Sequence, residues 1–194
     1  MHLVVDEIAT GFGRTGAMFA HQHAGVRPDF ICLSKGLTGG MLPLSAVLTT
    51  DAVYEAFYDD DVARGFLHSH SYTGNPLACR AALAVLEVFE RDHVLARNEA
   101  LARMLDGVFE PLARHPRVRH ARRLGMVWAW DVADAPAGFS RAFHRRALQQ
   151  GVLLRPIGST VYAMPPYAID AEAGEWLVRG ALAALDATFD EVPA

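Results

Sequence analysis

Val5-Asp-Glu-Ile-Ala-Thr-Gly-Phe-Gly-Arg-Thr-Gly16, then Pro28-Asp29 and Phe30-Ile-Cys-Leu-Ser-Lys-Gly-Leu-Thr-Gly-Gly40, is the stretch whose reading decides the fold. Leu3–Val5 is a short apolar run that stops at Asp6-Glu7, as expected of a parallel strand buried on both faces. Phe30–Leu33 is a second such run, introduced by Pro28-Asp29 and broken at once by Ser34-Lys35-Gly36. Open α/β sheets hold their ligands at the carboxyl ends of their strands. Asp6 ends the first strand and Lys35 follows the second, so both side chains are expected at one crevice.

Outward from this core, Gly11–Gly16 reads as a flexible loop and Met18–Gly25 as a short helix. Leu44–Thr49 is a third β-type run, and Asp51–Tyr58 has helical spacing with an acid at its start, which suits the helix dipole. Pro76–Arg91 and Val94–Arg114 carry the periodicity of two long helices, the first with proline at a position helices accept. Val118–Val132 reads as strands, Ser140–Gln150 as a helix stopped by Gly151, Val152–Arg155 and Thr160–Met164 as short strands, and Ala171–Phe189 as a closing helix. The organisation changes inside or just after the Pro76–Arg91 helix, so residues 1–88 and 89–194 are read as separate domains. His2–Asp6 has no lead-in, and we read the chain as starting within a core.

The 194 residues are 52% apolar, enough for a real core. A net charge of −4 provides no basic field for nucleic acid or an anionic membrane. No apolar stretch is long enough to span a bilayer, and Asp6-Glu7 interrupts anything like a signal peptide. Cys32 and Cys79 are too few for a disulfide framework, fit a cytoplasmic protein and read as buried small apolar residues. No metal site is expected: His68-x-His70 lacks a third ligand at suitable spacing.

Pyridoxal phosphate (PLP) chemistry asks two things of a protein. A lysine must bind the cofactor covalently, and an acid must keep the pyridine nitrogen protonated so that the ring serves as an electron sink. Taken alone, Asp6 reads equally as a turn residue and Lys35 as a surface residue. Lys35, however, is flanked by small residues that give a bulky cofactor room and keep the amine from free solvation. It is also the chain's only lysine, the other 17 basic residues being arginines.

The quoted stretch resembles the signature of the class III (ω-type) aminotransferases, fold-type-I PLP enzymes, and the 29-residue spacing from Asp6 to Lys35 (35 − 6) fits that family. The resemblance implies an α/β fold: part of the PLP-binding large domain with a mostly parallel sheet, then a C-terminal α+β small domain. Two further segments, His68-Ser-His-Ser-Tyr-Thr-Gly-Asn-Pro-Leu-Ala-Cys79 and Leu154-Arg-Pro-Ile-Gly-Ser-Thr-Val-Tyr-Ala-Met-Pro-Pro-Tyr167, resemble the branch acting in biotin biosynthesis. That branch uses S-adenosylmethionine as amino donor and 8-amino-7-oxononanoate as acceptor. The likeness runs from about residue 3 to 190 but covers about half of a family member.

Carried over, the resemblance gives Asp6 the pyridinium nitrogen and Lys35 both the covalent attachment and the proton transfer. Burial and nearby positive charge would tune that amine. His70 and Ser71 fall to the PLP phosphate, reached from the partner subunit of a homodimer whose active site is shared. Ser69 lies beside the substrate, Arg155 binds the acceptor carboxylate through its two-pronged guanidinium, and Arg14 and Tyr162 shape the pocket. The family's N-terminal part, with its phosphate loop and ring-stacking aromatic residue, is missing, so the chain alone is expected to be inactive. The competing readings are another class III ω-amino acid aminotransferase and a non-catalytic dimerisation module.

Overall fold

In the computed structural model, which describes residues 1–190, β1 (Val4–Asp6) runs parallel to β2 (Phe30–Leu33), with Val4 opposite Phe30 and Asp6 opposite Cys32. β2 pairs antiparallel with β3 (Ala46–Thr49), giving the order β1-β2-β3. Of the two pairings, one is parallel and one antiparallel, so the expectation of a mostly parallel sheet gives way to a mixed one here. β1 lies at an edge, where its side chains have neighbours on one flank only. Val4 is accordingly 59% exposed and Val5 half-buried, which corrects the expectation of a strand buried on both faces.

The chain divides into two compact units, Met1–Ala96 and Arg97–Ala194. In the first, the helix expected over Met18–Gly25 is a 3-10 turn, Ala20–Ala24, ended by Gly25 in the left-handed region at φ 62°. α1 is the single turn Asp51–Glu55 rather than a helix to Tyr58. A helix continued to Tyr58 would abut Asp59-Asp60-Asp61, and acids oppose the dipole at a helix carboxyl end. α2 (Pro76–Arg91) starts where Asn75 Oδ1 accepts the Leu77 N–H at 3.0 Å and Pro76 fills the first position. Cys32 is half-buried and Cys79 exposed on α2, so neither is the buried apolar residue expected.

α3 (Val94–Ala113) crosses the division between the units. The second unit continues with β4 (Val118–Leu124), β5 (Val127–Val132), α4 (Phe139–Gln149), β6 (Thr160–Ala163) and α5 (Ala171–Asp190). Its three strands form an antiparallel sheet in sequence order. Alternation places Trp128, Trp130 and Val132 with Val161 and Ala163 on the buried face, where Leu105, Phe143 and Leu185 close the core without exposure. Phe109 stacks on Trp128 with centroids 4.8 Å apart, and Asp106 accepts the indole N–H at 3.0 Å. α5 approaches so closely that a Cβ on Gly180 would lie 2.8 Å from Val152.

Val152–Arg155, expected as a strand, joins no ladder. Its backbone is satisfied by α4 instead: the Val152 N–H donates to the Ala147 carbonyl at 2.9 Å, and the Leu154 carbonyl accepts from His144 Nδ1 at 2.7 Å. With those groups taken, pairing beside β6 is unnecessary.

Asp131 on β5 accepts from the Thr160 hydroxyl at 2.7 Å, Arg122 at 3.2 Å and His120 Nδ1 at 3.1 Å. These bonds, the Thr160 bond foremost, lower its carboxyl from 3.8 to about 2. A folded value below the unfolded one adds stability above the unfolded pKa that is lost as pH falls through the folded pKa. Asp131→Asn is therefore expected to flatten the pH dependence of stability between about pH 4 and 2, read by urea unfolding. An unchanged slope across that interval would contradict the assignment.

Candidate active site

Parallel pairing decides the geometry of the site. β1 ends at Asp6, whose partner is Cys32, and β2 ends one residue later at Leu33, so the segment Ser34–Thr38 leaves from the strand ends where Asp6 stands. Lys35 opens a 3-10 turn, Lys35–Thr38, with φ of 35°, a left-handed conformation rare outside glycine. Such strain is of order 1–3 kcal/mol and collects at ligand-binding positions. Asp6 Oδ1 accepts the Ile8 N–H at 2.9 Å, while Oδ2 and Lys35 Nζ have no partner among the described residues. Both residues are exposed in this chain, so the sheltered setting expected for the Lys35 amine is not provided by these residues.

What holds this edge is a residue that sequence reading passed over. Glu7 is 2% exposed. Its Oε2 accepts the Thr10 hydroxyl at 2.6 Å and the Ala20 N–H at 3.0 Å; its Oε1 accepts the His21 N–H at 2.8 Å and His21 Nδ1 at 3.1 Å. Burial raises the carboxyl, but the Thr10 hydroxyl and the His21 and Ala20 N–H groups outweigh it and hold Glu7 below its ordinary value. The charge is thus satisfied by donors from the loop it spans, as a buried carboxylate must be.

The Gly11–Gly16 loop is consequently packed, not flexible. Phe12 is 4% exposed, meets Phe19 and Phe89 edge-on, and presses on Gly36, where a Cβ would lie 2.8 Å from the Phe12 ring. Only glycine fits directly after Lys35. Thr38 donates to the Leu42 carbonyl and Ser34 to the Leu44 carbonyl at 2.8 Å, closing the Lys35 turn from its other side. Val85 on α2 stands 3.4 Å from where a Gly39 Cβ would be. Arg14 is half-buried in the same loop.

Ser69, His70 and Ser71 lie on an exposed segment before α2. The turn is self-supporting: the Thr73 hydroxyl accepts the His70 N–H at 3.0 Å, His70 Nδ1 accepts the Tyr72 N–H at 3.1 Å, and the His70 carbonyl accepts the Thr73 N–H at 2.9 Å. Nδ1 is therefore the acceptor, and Nε2 carries the ring proton. In the second unit Arg155 is exposed between buried Leu154 and Pro156, and Tyr162 is half-buried on β6 opposite Ala129, on the face away from the Trp128 core.

The donor set suits PLP: one acid with an available oxygen, the only lysine at the same strand ends, and a glycine-packed turn beneath that lysine. Among the described residues no group of three His, Cys, Asp or Glu side chains gathers as metal ligands.

Comparison with known proteins identifies the family. The aminotransferase class-III family profile matches residues 1–185. The adenosylmethionine-8-amino-7-oxononanoate aminotransferase of Helicobacter pylori is 46% identical over 192 residues, covering 96% of this chain and 44% of that protein. The Synechococcus elongatus enzyme of the same name is 44% identical, over 86% of this chain and 40% of its own length. The crystal structure of the Methanocaldococcus jannaschii enzyme of that name superposes with a TM-score of 0.84 at 33% identity, over 95% of this chain and 45% of that one. A thermostable omega transaminase mutant from Pseudomonas jessenii gives 0.86 at 27% identity, over 97% and 44%.

The fold is that of the fold-type-I transferases. The chain belongs to the class III aminotransferases, a PLP-dependent family, and spans less than half the length of the curated relatives it matches. Among the described residues no helix is long and apolar enough to cross a membrane.

Replacing Glu7 by alanine leaves the Thr10 hydroxyl and the Ala20 and His21 N–H groups without their acceptor. Unpaired buried donors cost about 1–3 kcal/mol each, so Glu7→Ala is expected to destabilise the first unit by roughly 3 kcal/mol. Glu7→Gln, which keeps one acceptor oxygen, should cost less. Amide exchange at Ala20 and His21 is the direct readout, and unaltered protection there would sink the assignment.

Proposed function

We propose that this chain carries the cofactor-binding strand ends and the acceptor-binding segment of an aminotransferase of biotin biosynthesis. The enzyme would move the amino group of S-adenosylmethionine to 8-amino-7-oxononanoate, giving 7,8-diaminononanoate. The observation that carries the reading is the position of Asp6 and the chain's only lysine at the same end of a parallel strand pair. The choice within the family is supported by relatives of that name and by the Leu154–Tyr167 string.

PLP, when bound, supplies an electron sink for the charge left on the substrate carbon. Asp6 would hold the ring nitrogen and keep it protonated by accepting its N–H. Lys35 Nζ would carry the proton between the substrate carbon and the cofactor within each half of the reaction, in one direction in the first half and in the reverse direction in the second. His70 Nε2–H and the Ser71 hydroxyl serve the phosphate, reached across the interface of a cytoplasmic homodimer. Ser69 stands beside the substrate, Arg14 and Tyr162 shape its pocket, and Arg155 receives the acceptor's carboxylate. The division between residues 1–88 of the large domain and 89–194 of the small domain belongs to the same proposal. These residues alone do not complete a competent site.

Growth of a biotin-requiring host lacking this aminotransferase tests the reading. The chain fused behind the N-terminal part of the Helicobacter pylori relative is expected to restore growth. The Lys35→Ala fusion and the 194-residue chain alone are expected to fail. A folded fusion that uses an ω-amino acid with pyruvate but gives no rescue would transfer the chain to another class III activity. A folded fusion with neither activity would leave a dimerisation module.

A further inference from the structure

The second unit holds a cationic cleft of which the reading above uses only one residue. It lies between the first turns of α4 and the segment 154–156, and is lined by Arg141, Arg145 and Arg155 together with Ser140 and His144. No carboxylate lines it, and among the described residues none of the three guanidinium groups has an ion pair or a hydrogen bond. Several arginines elsewhere in this unit have acidic partners, Arg103 with Glu99, Arg114 with Glu110, Arg123 with Asp106 and Arg122 with Asp131. Arg141 also sits in the first turn of a helix that begins without an acid and with Gly138 as a cap lacking a side chain. Cations are disfavoured at that end of a helix dipole, and three of them repel one another. An anion in the cleft relieves both.

The cleft is built, not incidental. The Ser140 hydroxyl donates to the Pro156 carbonyl at 2.8 Å and His144 Nδ1–H donates to the Leu154 carbonyl at 2.7 Å. These two bonds clamp the backbone on either side of Arg155 to α4, in a segment with no strand ladder to hold it. Arg141 and Arg145, four residues apart, share one face of α4, while Phe143 and Ala147 anchor the helix in the core without exposure. Guanidinium forks match the two oxygens of a carboxylate.

We propose that Arg141 and Arg145 join Arg155 in binding the carboxylate of the acceptor acid, with Ser140 and His144 as the positioning residues of Arg155. This rests on the reading that Arg155 meets that carboxylate, and extends it to a three-arginine site. Losing one charge-assisted contact weakens binding about tenfold or more.

The test is titration of the full chain with 8-amino-7-oxononanoate, octanoate and inorganic phosphate, following the arginine Nε–Hε resonances and the heat of binding. Saturable shifts at Arg141, Arg145 and Arg155 with both carboxylates are expected. Affinity should fall about tenfold in Arg141→Gln and in Arg145→Gln, both exposed positions that leave the core untouched. His144→Ala should displace the Arg155 resonance before any ligand is added and weaken binding, and His144→Asn, which keeps a donor to Leu154, should restore both. Carboxylates that move Arg155 alone would overturn the three-arginine site while leaving the role of Arg155 standing. Carboxylates that move none of the three would remove both. Phosphate binding as tight as either carboxylate would overturn the ligand assignment, marking a general anion patch.

Discussion

A single buried carboxylate organises the first unit. Glu7 follows directly on the strand that ends in Asp6, so it cannot move without moving that strand end. Its four hydrogen bonds reach Thr10, Ala20 and His21 and fold the intervening loop back on itself. That loop delivers Phe12 onto Gly36, and Gly36 is the residue after Lys35. A chain of contacts thus runs from the Glu7 charge to the lysine backbone, each link short and each dependent on the one before. A low-dielectric setting makes such a group stabilising only when fully satisfied, so the loop is either folded as a whole or not at all.

The second unit solves a comparable problem differently. Arg155 sits on a segment that pairs with no strand, and side chains of α4 replace the missing ladder. Close approach of α5 through Gly180 onto Val152 fixes the same segment from beneath. In both units, then, the residue proposed to meet a ligand lies on irregular backbone. Its backbone is positioned by side-chain hydrogen bonds and by a glycine that admits a neighbour. Loops held on rigid elements in this way are where binding groups are commonly placed.

Much of this was legible in the sequence. The strands ending at Asp6 and Leu33, the long helices and the candidate pair Asp6 and Lys35 follow from short apolar runs broken by polar residues and from periodicity. What escaped has physical reasons. Glu7 reads as one more polar residue at a strand end, and only the distant partners Ala20 and His21 distinguish it; Thr10 three residues later was the sole local sign. Gly11–Gly16 has a flexible composition but is pinned by contacts remote in sequence. Val152–Arg155 alternates buried and exposed positions like a strand, yet its hydrogen bonds go to a helix, which periodicity does not record. Exposure was misjudged at Lys35, Cys79 and Val4 because composition says what a residue prefers and not what covers it.

The central claim is that the parallel pair β1–β2, held by Glu7, presents Asp6 and Lys35 together as a cofactor-binding pair. The most direct measurement is borohydride reduction of the purified chain with PLP, followed by peptide mapping, beside the Asp6→Asn variant. The account predicts modification at Lys35 in preference to the amino terminus, at PLP concentrations where Asp6→Asn is modified far less. Modification of Lys35 that is indifferent to Asp6, or no more frequent than that of the amino terminus, would contradict it.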